Sequence, residues 1–469
     1  LEGGVKFDFS EISLPKDCLS QNNECNDDND NELDEYIYDS DNEDKSNALQ
    51  SCFKTMVDTL SKQDPETIAQ VQSLVKELRR ITLLWDELWL GTLAQHQTEI
   101  SKRQQQLEDE IEKVNDNPHL GKEEKISLIA EKHRIIVKPI VFVLEQLQEV
   151  TSAEAETPHE REFQEKYLDE IKQVIYKLKN PEYPDKAQES LQPLKTLQKQ
   201  FQQKFHRRAS YTLKMQAISP VLASIKNTLI AMPGLVNSSK TTVTIAHVSN
   251  IVSILPTKTK PKKLIFHGSD GQIYTYLFKG LEDLHLDERI MQFLSIANTM
   301  MNQNADMIGR NLYRARHYSV IPLGPRSGLI SWVDGTTPVF ALYKRWQQRE
   351  LAKPSKVNSN TNSSVLRPSE LFYNKLNPLL REHGVKNVDN RKEWPLSILK
   401  QVLTELMAET PSDLLAKEFW CNSTSASSWW QVTKRYSYSV AVMSIIGYII
   451  GLGDRHLDNV LVDLSSGEV

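Results

Sequence analysis

The 469-residue sequence predicts an α+β fold, a helical bundle followed by a two-lobed domain with a sheet in its first lobe. Three observations predict it. From Asp64 to Arg208, Leu, Ile and Val recur at three- and four-residue spacing among Gln, Glu and Lys, the period of amphipathic helices. From Tyr211 the period changes to short β-like runs, Thr242 to Ile245, Ile251 to Leu255, Leu264 to His267 and Ile273 to Phe278, parted by turn residues such as Gly268-Ser269-Asp270-Gly271. From Glu370 helical patterns return. A chain of this length exceeds one compact core, so two or three domains are expected.

Residues 1 to about 50 are rich in Asn, Asp and Glu and poor in aliphatic side chains. They cannot bury enough surface to offset chain entropy, so disorder is expected there. Between Asn23 and Asp44 lie eleven acidic and no basic residues; without them the formal charge changes from −6 to +5. The remainder is mildly basic, without the excess of a nucleic-acid binder, and no direct nucleic-acid partner is expected. Asp28-Asn29-Asp30-Asn31-Glu32 resembles the start of a calcium loop, but Leu33 stands where the sharp turn needs Gly, and a solvated acidic linker fits better. Ser40, followed by Asp41 and Glu43, fits an acid-directed phosphorylation site. Cys18, Cys25, Cys52 and Cys421 show no C-x-x-C pairing and no histidines at zinc spacing, which points to a reducing compartment and no structural metal. No basic-then-apolar signal segment opens the chain. Tyr436 to Gly453 is uncharged but carries three Ser and ends in the motif below, so a buried helix is expected rather than a membrane span.

Within the helical stretch, breaks near Asn115 to Gly121, Thr151 to Pro158 and Asn180 to Pro184 leave four main helices, which pack naturally as a bundle. A further helix is expected after Glu288, through Met291-Gln292-Phe293-Leu294 to about Asn302, then a strand at Val320 to Leu323. Lys353 to Pro368 is Ser/Asn-rich and reads as a flexible loop.

The most informative segment is Gly453-Asp454-Arg455-His456-Leu457-Asp458-Asn459, between an apolar helix pattern and the strand-like Val460-Leu461-Val462. Singly, Asp454 could cap a turn, His456 could fill a core and Asn459 could hold a bend. Together they supply what phosphoryl transfer needs: a carboxylate beside the attacking hydroxyl, an imidazole on the moving phosphoryl and an amide oxygen for a metal. Ordinary protein kinases write this trio as H-R-D-x-x-x-x-N. The order D-R-H-x-x-N after Gly-Leu-Gly resembles the phosphoinositide 3-kinase superfamily, especially its protein-kinase branch, the PI3-kinase-related kinases.

That resemblance implies a helical bundle like the FKBP-rapamycin-binding (FRB) domain over 64–209, and a bilobal PI3K/PI4K-like kinase domain with small lobe and hinge at 211–333 and an incomplete large lobe at 334–469. Leu84-Trp85-Asp86-Glu87-Leu88-Trp89, with Phe201 and Phe205 before Arg207-Arg208, is similar to the first and last FRB helices, although two Trp four residues apart also suit a plain core. Gln97 and Ser101 replace the small hydroxyl and aromatic wall of the drug-binding version, so rapamycin sensitivity is not expected. In the kinase part the resemblance makes Lys279 the ATP-phosphate lysine, with Glu282 or Asp287 orienting it. Thr257 and Lys258 lie in the basic turn Pro256 to Lys263 that would cover the phosphates; the same run also reads as a solvated turn or a nuclear-import signal. Trp332 and Val333 would hold adenine at the hinge, above Leu461. Asp454 would orient or deprotonate the substrate hydroxyl, His456 would stabilise the γ-phosphoryl charge, and Asn459 would hold Mg²⁺ or Mn²⁺.

Leu264 to Gly271, Ser319 to Pro325 and the acidic segment ahead of the bundle resemble the nonsense-mediated mRNA decay branch of that family. This implies transfer of the ATP γ-phosphoryl to Ser or Thr followed by Gln, an up-frameshift RNA helicase as substrate, regulatory subunits of the decay kinase complex as partners, no membrane, and a cytoplasmic and nuclear location. Ser20-Gln21 would be an autophosphorylation site by the same logic. The family's second metal-binding Asp and activation segment are expected beyond Val469, and these residues alone are expected to turn over little. Two other readings stay open: a phosphoinositide lipid kinase, which shares the loop, and a non-catalytic interaction fragment.

Overall fold

The computed structural model describes residues 40–206, 211–235, 241–255, 257, 259–304, 312–352, 366–385 and 390–469. The chain divides into two compact units, Leu1–Arg289 with Ser319–Trp332, and Ile290–Tyr318 with Val333–Val469.

The first unit opens with α1 (Ser40–Gln63) and α2 (Pro65–Arg80). Helix α1 starts inside the stretch expected to be unstructured, where Ala48, Leu49 and Gln50 are good helix formers. The calcium-loop-like run and Ser20-Gln21 lie outside the described residues. Asp64 caps α2 by accepting from the Thr67 N–H, and Pro65 sits at the first helical position, where no N–H is missed. Sequence alone groups α2 with the bundle, yet Leu74, Leu78 and Ile81 pack with Val252, Leu264, Phe266 and Phe278 of the sheet.

The bundle comprises α3 (Trp85–Gln95), α4 (Gln97–Asn115), α5 (Lys122–Thr151), α6 (Pro158–Lys179), the short α7 (Ala187–Ser190) and α8 (Gln192–His206). The three expected breaks appear, and one more at His96 places Gln97 and Ser101 on α4 rather than on the first helix. Trp89, fully buried, stacks on Phe201 with centroids 6.1 Å apart and donates its indole N–H to Thr151 Oγ1 at 3.2 Å. Its removal would cost about 3–5 kcal/mol. Trp85 meets Phe163 edge-on. Core packing therefore accounts for both tryptophans. Arg207 and Arg208 lie outside the described residues.

The sheet follows: β1 (Tyr211–Lys214), the short helices α9 (Met215–Ile218) and α10 (Pro220–Ser224), then β2 (Ile245–Val248), β3 (Ile251–Ile254), β4 (Lys262–Gly268) and β5 (Ile273–Gly280). After α11 (His285–Asn304) come β6 (Val320–Gly324) and β7 (Ser327–Ser331). The strands pair antiparallel in the order β1-β3-β4-β5-β7-β6, with β2 also on β4. Burial alternates along β4, so Lys262 points inward with Leu264 and Phe266.

The second unit holds β8 (Thr336–Pro338), α12 (Val339–Ala352), α13 (Pro368–Glu382), α14 (Leu396–Glu409), α15 (Leu414–Asn422), α16 (Ala426–Ile450) and β9 (Leu461–Asp463), which pairs with β8. The range 211–333 expected for the small lobe includes residues of both units. From Ile290 onward α11 belongs to the second unit, because Leu294, with Ala315, packs on Val442 and Ile446 of α16. Residues 353–365 of the Ser/Asn-rich stretch lie outside the described residues. No described helix is long and apolar enough to cross a membrane.

Candidate active site

Helix α16 delivers the catalytic-type loop. Ser425 caps its start by accepting from the Ser428 N–H, and Gly451 ends it in the left-handed region at φ +65° while the Leu452 N–H closes back on the Gly447 carbonyl at 2.8 Å. The chain then turns through Asp454, which is left-handed at φ +54° without being glycine. Such a residue costs about 1 kcal/mol or more and persists only where its surroundings hold it. Here Asn459 holds it, donating from Nδ2 to both the carbonyl and Oδ2 of Asp454, each at 3.0 Å. The Asn459 Oδ1 accepts no hydrogen bond among the described residues.

The Asp458 N–H donates to His456 Nδ1 at 3.2 Å, so a neutral ring carries its proton on Nε2. That Nε2 lies 3.7 Å from Asp454 Oδ1. All three side chains face solvent. The loop is pinned from behind, where Phe340 and Val339 at the start of α12 donate to the carbonyls of Leu457 and Val460, both at 3.0 Å. Thus the structure brings Asp454, His456 and Asn459 into one cluster, as their spacing predicted.

Beyond the loop, β9 is anchored by Asp463, which the sequence reading passed over. Its Oδ1 accepts from the Ser465 N–H and hydroxyl and from the Ser466 N–H, and its Oδ2 is 3.1 Å from Arg316 Nη1, which also reaches Glu468. Burial pushes the Asp463 carboxyl upward, but the Ser465 and Ser466 donors outweigh it and bring the pKa to about 2. The clue was Asp463-Leu464-Ser465-Ser466-Gly467, a turn in which an Asp side chain accepts from the N–H groups two and three residues on.

Lys279, Glu282 and Thr257 lie in the first unit. Lys279, near the end of β5, is 3.0 Å from Glu282 Oε2. Asp287 stands exposed in the first turn of α11, so of the two carboxylates left open by the sequence, Glu282 is the partner. Thr257 is exposed in the turn between β3 and β4, and its N–H donates to the Leu255 carbonyl; Lys258 lies outside the described residues.

Trp332 follows β7. Its N–H is taken by the Thr275 carbonyl at 2.9 Å, and the Lys263 ammonium lies 4.1 Å from its ring centroid. The Trp332 N–H thus continues the sheet ladder, while its carbonyl takes no part in that bond. The Val333 N–H has no acceptor among the described residues. Leu461, 41% exposed, pairs with Pro338 across β8 and β9.

Lys262 was read as part of a basic turn, but it is buried against Glu87 of α3. The signal for its burial was its place two residues before Leu264 and four before Phe266, on the inward face of the strand.

Fold and loop define a kinase of the phosphoinositide-kinase type, and residues 273–469 match the family described as phosphatidylinositol 3- and 4-kinase. That stretch belongs to this family, and the chain as a whole is similar to its branch of PI3-kinase-related protein kinases. It is similar to the Ser/Thr-protein kinase SMG1 of Danio rerio, 53% identical over 428 residues that make up 90% of this chain and 12% of the relative. The Smg1 kinase of Drosophila melanogaster is 47% identical over 89% of this chain and 13% of its own length. The Ser/Thr-protein kinase TOR of Arabidopsis thaliana is 28% identical over 90% of this chain and 15% of the relative. The chain thus spans about an eighth of the length of the first two. A kinase domain of this family uses ATP and a divalent metal ion.

Proposed function

We propose that this chain carries the nucleotide and catalytic machinery of an ATP-dependent Ser/Thr protein kinase that acts on Ser or Thr followed by Gln in nonsense-mediated mRNA decay. The observation that carries the reading is the clamp of Asn459 on left-handed Asp454, with His456 Nε2 beside the same carboxylate.

Each side chain then has one task. The exposed Asp454 carboxylate orients the substrate hydroxyl and accepts its proton as its oxygen bonds to the γ-phosphorus and the bond from that phosphorus to the ADP oxygen breaks, releasing ADP. His456 Nε2 donates to an oxygen of the transferring phosphoryl, its proton kept on that nitrogen by the Asp458 N–H on Nδ1. Lys279, held by Glu282, offsets phosphate charge. Asn459 turns its amide nitrogen to Asp454 and keeps Oδ1 for a hard cation, an oxygen donor suited to Mg²⁺ or Mn²⁺. Such an ion, when bound, neutralises charge between the phosphates. The adenine ring would take the Val333 N–H.

An up-frameshift RNA helicase with Ser/Thr-Gln sites is the expected substrate, regulatory subunits of a decay kinase complex are the expected partners, and the cytoplasm and nucleus are the expected locations. The similarity to SMG1 Ser/Thr-protein kinases supports a protein substrate. The test compares the full-length enzyme with Asp454→Ala on Ser-Gln and Ser-Ala peptides and on phosphatidylinositol vesicles, each with ATP and Mg²⁺. Transfer to the Ser-Gln peptide alone, lost in the variant, is expected. Transfer to the lipid and not to the peptide would replace the reading with a lipid kinase.

A further inference from the structure

The first helix of the bundle is built onto the end of the sheet that carries Lys279. Lys262 opens β4 at an inward position and is 2% exposed; its ammonium lies 2.7 Å from Oε2 of Glu87, itself 7% exposed. The same ammonium donates to the Thr82 carbonyl at 3.3 Å, and the same carboxylate oxygen accepts from the Leu84 N–H at 3.0 Å, closing the first turn of α3. A buried pair of this kind resists separation, because removing either partner strands a charge out of water. The start of α3 and the start of β4 therefore move as one piece.

Lys279 sits directly beside this joint. Its neighbour Phe278 is the ladder partner of Lys262. Its other neighbour, Gly280, lies so close to Thr82 that a Cβ there would overlap Thr82 Cγ2 and stand 3.1 Å from the Thr82 carbonyl. The turn bearing Thr257 leads into Lys262 and is closed by the Leu255 N–H on the Pro261 carbonyl at 3.0 Å. Both strand ends that would meet phosphate are thus seated on residues Thr82 to Glu87 of the bundle.

We propose that Glu87 and Lys262 are positioning residues for the nucleotide phosphates, fixing Lys279 and the β3–β4 turn to the bundle. The proposal rests on the reading of Lys279 as the phosphate lysine. The pair touches no substrate; it acts by setting where the two strand ends stand.

The experiment measures ATP KM, peptide KM and kcat for the full-length enzyme carrying Glu87→Gln, Lys262→Met, both together, or Lys279→Met. Each single change at the pair is expected to raise ATP KM about tenfold, with peptide KM unchanged and kcat within about twofold. The double variant, with no stranded charge, is expected to recover most of that loss. Ile171→Val, which loosens the bundle core, serves as the control and is expected to lower the thermal midpoint without moving ATP KM. If the single variants lower the thermal midpoint but leave ATP KM unchanged, the pair is merely structural and the proposal is overturned. Wild-type kinetics for Lys279→Met would instead overturn the reading of Lys279. Where Glu87→Gln does not fold, Glu87→Asp keeps the charge, shortens the reach by one methylene and carries the same comparison.

Discussion

Asn459 grips Asp454 twice, from one amide nitrogen to its carbonyl and its carboxylate, each at 3.0 Å. The grip explains how Asp454 keeps a left-handed backbone while its second carboxylate oxygen stays turned toward His456. Geometry is what the loop supplies.

Asn459→Ala removes both bonds and the oxygen offered to a metal. In the full-length enzyme kcat is expected to fall at least about a hundredfold while the thermal midpoint holds, since the side chain is exposed. Asp454→Gly is the companion: glycine accepts the backbone conformation, so the protein folds normally and turnover is lost. Steady-state kinetics beside thermal unfolding separates the two effects.

Gly467 is left-handed at φ +82°, and a Cβ on it would overlap the backbone carbonyl of Val432 in α16. Neither the helix backbone nor the turn can give way cheaply. Gly467→Ala is expected to destabilise the second unit by on the order of 3 kcal/mol, read as a drop in unfolding midpoint and as faster hydrogen exchange in α16.

His133 is fully buried in α5, and neither ring nitrogen has a partner among the described residues. Burial lowers its pKa from 6.5, so at mildly acid pH the unfolded chain binds the proton more readily than the folded one. Its contribution is intact above about pH 6.5 and is lost as pH falls below that value. His133→Leu is expected to flatten this slope and to leave stability at pH 7 equal or up to about 1 kcal/mol higher. Unfolding midpoints of both proteins at pH 7.5 and pH 5 provide the check.

Asp463 runs the opposite way. Its pKa of about 2 lies below the ordinary 3.8, so it contributes stability above about pH 4 that drains away as pH falls toward 2. The amount is about 2 kcal/mol, and Asp463→Asn is expected to forfeit it at neutral pH. Acid titration of the unfolding midpoint should show a shallower decline for the variant below pH 4.

Much of this was legible in the sequence because it is local. The helix breaks, the β-like runs and the loop trio depend on residues within a few positions of one another, and hydrophobic period and turn chemistry report such relations directly. Asp454, His456 and Asn459 cluster because six consecutive residues make a single turn. Lys279 and Glu282, three apart, meet for the same reason, whereas the equally plausible Asp287 is carried away on α11.

What the sequence by itself determined is therefore the order of elements, the family and the chemical inventory of the loop. Only the tertiary structure decided that α2 joins the sheet core, that α11 divides between the units, that the Trp332 N–H is spent in the ladder, and that Glu87 and Lys262, 175 residues apart, neutralise each other out of water. The physical reason is range. A side chain's period names the face it occupies, but which distant element closes over that face follows from packing the whole chain, and the worth of a buried charge is set entirely by the partner that arrives.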